Sequence, residues 1–287
     1  MRSSVLVWAL AALALPRAGH AQYPNPTEQR PGWVGDFTVL SANVLVSAVS
    51  AGTVQKARGG SFRDGFARGA AGGVGVYAGK RIVAERWAGA GLLGRQVASV
   101  GSSVVWNAGR GRASLDEVAL PFGPVRVYVR PRGGGPRVRA RLDAVAAGAM
   151  LYGAARPELK LDAARSLSSG TAVFSAERHY FRNQGSTGST GIAYHGTVYL
   201  SEIPDISPED VRATFAHERI HVLQGDALFL SLGLPAQEWL AARIPGGRWV
   251  SRWLDVDVAA PLTTALGLTI PYDERPWEME ASYMEER

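Results

Sequence analysis

The run His217-Glu218-Arg219-Ile220-His221 constrains this chain more than any other stretch, because its side chains act together only on an α-helix. Histidines four apart on a helix project from one face, so both imidazoles reach one metal ion. Glu218 borders the same face, where a carboxylate can take a proton from metal-bound water. This is the layout in which zinc lowers the pKa of its water and the glutamate serves as general base. The flanks support a helix over residues 208–224. Ser207 is the N-cap candidate, Pro208 takes the first helical position, and Glu209 and Asp210 place acids in the first turn. Val211, Phe215, Val222 and Leu223 form an apolar stripe, and Gly225 is the expected stop. The plain alternative is an amphipathic helix whose histidines are satisfied by neighbours.

Two histidines need a third protein ligand, with one position left for water. The other histidines of the mature chain, His179 and His195, lie upstream, and no third histidine follows at the His-x-x-Gly-x-x-His spacing, where Gln224 and Ala227 stand instead. Asp226, at an expected turn, is a weak candidate. Glu278 and Glu280 lie on a short C-terminal helix opened by Pro276, and residues two apart face different ways, so only one of them can turn to the metal. Tyr283, Tyr194 and His195 are candidates to stabilise a developing oxyanion, each with a structural role as the alternative. Gln224, three residues past His221, is placed to hydrogen-bond a ligand.

Composition sets the compartment. Arg2, the apolar run Val5 to Leu15 and Gly19-His20-Ala21 read as a cleaved secretory signal over residues 1–21. Cysteine is absent, which excludes disulfides, a lipobox for lipid attachment and thiolate metal sites, so zinc would be held by histidine and carboxylate. Periplasm, cell envelope or extracellular space is the expected location. The chain carries 31 Lys and Arg against 25 Asp and Glu. No nucleic-acid-binding motif accompanies that excess, so nucleic acid is not an expected partner.

The expected fold class is α+β. A Pro-rich lead-in spans 22–35, a Gly/Ala-rich helical region 36–112, an antiparallel β-meander 113–178, and a metal-site domain 179–287. Phe37 to Gln55 is nineteen residues without a charge, long enough to consider a membrane span, yet rich in Ser, Ala and Val. Glycines recur from Gly65 to Gly79, which lets helices approach closely, either in solution or in association with a membrane. Val125, Val127 and Val129 alternate with Arg126, Tyr128 and Arg130, and Val138, Ala140 and Leu142 with Arg137, Arg139 and Arg141. This predicts a hairpin with one apolar and one cationic face. The cationic face is either solvated surface or a patch for anionic lipid or acidic polymer. Strands are also expected at Ala147–Tyr152, Thr171–Phe174 and as a pair within Gly191–Glu202.

From Thr214 to Gln224, and again over Pro276-Trp277-Glu278-Met279-Glu280-Ala281, the chain resembles the zincin superfamily in its glutamate-ligand branch, the gluzincins. The resemblance covers about the last hundred residues. It implies a Zn2+ peptidase in which His217, His221 and Glu280 hold the metal, Glu218 is the base and Glu278 supports the site. It also implies that the strand Gly196–Leu200 is the sheet edge that receives an extended peptide. A 58-residue interval between His221 and Glu280 carries no further family mark. A second reading makes the chain an envelope scaffold whose zincin-like domain is inactive and whose zinc is structural.

Overall fold

The structure, a computed structural model, describes residues 32–85, 87–131, 137–177, 191–202, 204, 206–258, 265, 269–271 and 274–285. The expected signal sequence and His179 lie outside these residues. The fold is α+β: a helical N-terminal part, two four-stranded sheets, and a C-terminal helical part that carries the motif.

The described residues open with three helices, α1 (Trp33–Ala57), α2 (Phe62–Ala84) and α3 (Ala90–Gly109). Glycine sets their spacing. A Cβ on Gly73 of α2 would sit 2.6 Å from the Asn43 carbonyl oxygen of α1, and one on Gly101 of α3 would sit 2.5 Å from the Val76 nitrogen of α2. Backbones this close admit no side chain between them, which is the physical content of the glycine run. Among the described residues α1 alone is long and apolar enough to cross a membrane.

The first sheet, in order β1-β2-β3-β8, joins β1 (Val118–Phe122), β2 (Val125–Arg130) and β3 (Arg137–Asp143) as an antiparallel meander, with β8 (Leu254–Asp255) parallel to β3. The expected alternation is present, but its faces are reversed. Arg126, Tyr128 and Arg141 point inward and are buried, while Val125, Val138 and Leu142 are exposed. The inward face is workable because its charges are matched. Arg126 reaches Asp255 and Asp226 at 3.1 Å each and Asp143 at 3.2 Å, Arg141 reaches Asp255 at 3.1 Å, and Arg95 of α3 reaches Asp226 at 2.8 Å. Three arginines thus meet three aspartates, and Tyr128 donates to Asp255 at 2.6 Å. A paired ionic layer is tolerated inside, where single charges would not be. On the outer part of this face Glu117 pairs with Arg110, Arg130 and Arg139.

The expected strand at Ala147–Tyr152 is instead helix α4 (Ala144–Ala154). The Asp143 carboxylate accepts from the Val145 and Ala146 N–H groups and starts it, and alanine-rich sequence favours helix once capped. After β4 (Lys160–Leu161) and α5 (Ala163–Ser169), strands β5 (Ala172–Ala176), β6 (Gly191–Tyr194) and β7 (Thr197–Ser201) complete the second sheet, in order β4-β5-β7-β6. The meander therefore stops at Asp143, and β5 belongs to a mixed sheet in which it runs parallel to β7. β6 and β7 form the expected hairpin, closed by His195 and Gly196, both at positive φ as a two-residue turn of this hand requires. β7 lies inside the sheet, so β6 and not Gly196–Leu200 is the strand at the edge.

The motif helix α6 (Pro208–Leu228) runs past Gly225 into a π-helical turn at Phe229–Gly233 and then α7 (Leu234–Ala241). Burial overrides the glycine: Asp226, Phe229, Leu230 and Leu234 all lie in the interior, and ending the helix at residue 224 would expose them. The short helix α8 (Gly247–Val250) precedes β8, and α9 (Pro276–Glu285) closes the described chain.

Candidate metal centre

Helix α6 begins as its sequence requires, with the Ser207 hydroxyl accepting the Asp210 N–H at 3.1 Å and Pro208 in the first turn. Ile220 and Leu223 on one face pack with Val83 and Ala84 of α2, Ala98 of α3, and Ala281 and Met284 of α9. This cluster seats α9 against the motif. Positions 278, 281 and 284 recur at helical spacing, so the face that buries Ala281 and Met284 also turns Glu278 inward.

The three donor atoms converge. Glu278 Oε2 lies 3.2 Å from His217 Nε2 and 3.0 Å from His221 Nε2, and the two Nε2 atoms are 2.9 Å apart. The group His217, His221 and Glu278 meets the spacing for holding a metal ion. Zinc with bonds of about 2.0–2.1 Å in a tetrahedron separates its ligands by about 3.3 Å, so the observed set fits after an expansion of a few tenths of an ångström. At this distance at most one of the two Nε2 atoms carries a proton directed at the other, and a shared cation could stand in that proton's place.

The outer nitrogens are also engaged. His217 Nδ1 is 3.0 Å from Glu285 Oε2, and His221 Nδ1 is 2.7 Å from Gln224 Oε1. Such partners fix the tautomer that leaves Nε2 free for metal. Gln224 in turn donates to Trp277 O at 2.9 Å and Glu280 at 2.8 Å.

Glu280, which the resemblance implied as third ligand, has another position. Its carboxylate accepts from Lys80 Nζ at 2.6 Å and from Asn43 Nδ2 at 2.6 Å, tying α9 to α2 and α1. The structure thus brings Glu278, not Glu280, to the histidines, because residues two apart on α9 face different neighbours. Tyr283 is likewise directed elsewhere, its hydroxyl 3.1 Å from Gly32 O and 3.2 Å from Asp36 Oδ1. Asp226 is held by Arg95 and Arg126, and Tyr194 and His195 sit at the β6–β7 turn. Glu285 was not singled out from sequence, although its position seven residues after Glu278 marks the same helical face.

Glu218 is buried beside this group. Burial raises its carboxyl pKa, against the lowering influence of His221, His217 and the Ala193 N–H that it accepts. For His217 burial acts downward, but hydrogen bonds to Glu278 and Glu285 outweigh it and raise the pKa to about 10; for His221 burial again acts downward, and the Glu278 hydrogen bond with the Glu218 charge outweighs it. A bound cation would take the place of that proton. For Glu280 burial acts upward, and Lys80, with the Asn43 and Gln224 hydrogen bonds, holds the carboxyl below its usual range.

Gly191 lets β6 approach α6: a Cβ there would lie 2.5 Å from Thr214 Cγ2 and 3.1 Å from Glu218 Cγ. A cavity of about 290 Å³ lies elsewhere, lined by Arg110, Glu117, Arg130, Arg139, Arg141 and Glu238 among others. Its walls are largely ion-paired, and the convergent donors at the motif mark the site better than volume does.

No family model, curated protein or solved structure matches the chain.

Proposed function

We propose that the chain is an exported zinc-dependent hydrolase, in its simplest form a peptidase of the zincin type that its motif resembles. The observation that supports this reading is the convergence of His217 Nε2, His221 Nε2 and Glu278 Oε2. These residues would hold zinc, which when bound supplies a Lewis acid that lowers the pKa of water toward neutrality. Glu218 does the proton work. Its raised carboxyl pKa brings it nearer the working pH of a base that must later give the proton back, and the Ala193 N–H fixes its orientation. Glu285 and Gln224 hold the two imidazoles in register. An extended substrate would lie along β6, the edge strand whose Ala193 touches the base. Peptide as substrate comes from the resemblance, export from the reading of residues 1–21.

The Glu218→Gln variant tests the mechanism. It should bind zinc as the parent does and lose peptide hydrolysis; retained turnover in that variant would refute the assignment of the base.

A structural zinc is the second reading, favoured by the way the same three residues join α9 to α6 in a largely buried cluster. Cobalt substitution separates the two. In an open site a hydroxamate changes the cobalt d–d spectrum, whereas in a closed site the spectrum stays as it was.

A further inference from the structure

The outer face of the α1–α2 hairpin is apolar, while its inner side mixes small, apolar and polar residues. Between Asp36 and Lys56 the exposed residues of α1 are Phe37, Thr38, Ala42, Leu45 and Val46, and on α2 between Arg68 and Lys80 they are Ala71 and Val74. The inward side of α1 carries Asn43, Ser47, Ser50 and Gln55 among Ala48, Ala51, Gly52 and Val54. Helix α3 and the motif helix pack on the inner side. Thr38, the one polar residue of the exposed set, donates its hydroxyl to Val34 O at 2.8 Å within its own helix. Beyond it the outer side of α1 offers only the partly buried hydroxyls of Ser41 and Thr53, so side-chain donors are sparse. Protein partners normally make about one hydrogen bond per 100–200 Å² of interface, whereas hydrocarbon requires none.

The edges of this face carry the residues suited to a membrane surface. Trp33, 81% exposed, opens α1, and Trp87, 50% exposed, follows the end of α2. At the opposite end Lys56 and Arg63 are exposed around the α1–α2 turn beside half-exposed Phe62, with Asp64 the one acid between residues 56 and 64. Tryptophan is at home at headgroup depth, and basic side chains are drawn to anionic headgroups.

We infer that the outer face of the α1–α2 hairpin lies flat on an anionic phospholipid bilayer. Leu45 and Ala42 at the middle of the face enter the headgroup–acyl boundary with Val46 and Phe37 at its two flanks, Trp33 and Trp87 anchor one end, and Lys56 and Arg63 meet lipid phosphates at the other. The metal centre would then work beside a membrane surface, although the inference does not depend on a metal being bound.

Flotation of the mature chain with phosphatidylcholine vesicles, with and without phosphatidylglycerol, tests it. The parent should float with the mixed vesicles and be released by salt. Leu45→Glu/Val46→Glu should weaken partitioning by at least about ten-fold. Lys56→Glu/Arg63→Glu should remove the preference for anionic lipid. Leu161→Glu/Leu167→Glu, the same chemical change at exposed sites elsewhere, should behave as the parent. Thermal melts establish that each variant is folded, and Ala42→Lys replaces the double variant if that one melts early. Failure of the parent to float would overturn the inference, as would equal flotation of the Leu45/Val46 and Leu161/Leu167 variants. So would a lipid-free dimer that the Leu45/Val46 variant dissociates, since the face would then belong to a second copy of the chain.

Discussion

Glu278 and Glu280 stand two residues apart on one helix and serve opposite neighbours: the first lies 3.0 Å from His221 Nε2, the second 2.6 Å from Lys80 Nζ. Their separation across α9 turns a question of ligand identity into one of stability. Glu280→Ala leaves a buried ammonium without its carboxylate, which should cost about 3–5 kcal/mol while zinc still binds. Chemical denaturation beside metal analysis checks both halves of this expectation. Loss of zinc with unchanged stability would reverse the assignment.

Glu285 supports His217 without touching the donor cluster's shared point. Glu285→Gln keeps a hydrogen-bonding group but removes the charge, and zinc affinity should fall by about 10–100-fold with the stoichiometry kept. Competition with a chromogenic chelator reads the affinity directly.

Gly191 keeps β6 against the motif helix. Gly191→Ala places a methyl 2.5 Å from Thr214 and 3.1 Å from Glu218, which should cost about 1–3 kcal/mol. Because Glu218 is displaced and the ligands are not, turnover should fall more than zinc affinity. A parallel loss of both would show that the strand supports the ligands rather than the base.

Acid should act through the buried ionic layer. Burial acts upward on Asp226, but Arg95 and Arg126 outweigh it and depress its pKa in the folded state. A depressed carboxylate contributes stability above its unfolded pKa, about 3.9, and loses it as pH falls through the folded value. Melting temperature should therefore be flat in this respect above about pH 5 and drop below about pH 4. Asp226→Asn should start lower and lose less over that interval.

Much of the motif helix was legible because its signals are local. Ser207, Pro208 and the first-turn acids set its start, and the spacing of His217 and His221 set its useful face. Its end was not legible, because Gly225 is a local stop signal while the burial of Asp226, Phe229 and Leu230 depends on Arg95, Arg126 and distant packing. The arginine hairpin failed for the same reason. Alternation gives two faces but not which one turns inward, and the aspartates that neutralise Arg126 and Arg141 lie as much as 129 residues away. The strand expected at Ala147–Tyr152 ignored Asp143 as a cap. The carboxylate that meets the two histidines was readable in principle, since Glu278, Ala281, Met284 and Glu285 share a face, but family resemblance pointed to Glu280 instead.

Zinc content of the purified mature chain measures most directly whether His217, His221 and Glu278 hold one metal. One zinc per parent chain, lost in Glu278→Ala and His221→Ala and kept in Glu280→Ala, is the expected result. A parent chain free of zinc after exposure to excess metal, or one that loses it with Glu280 and not with Glu278, would contradict the account.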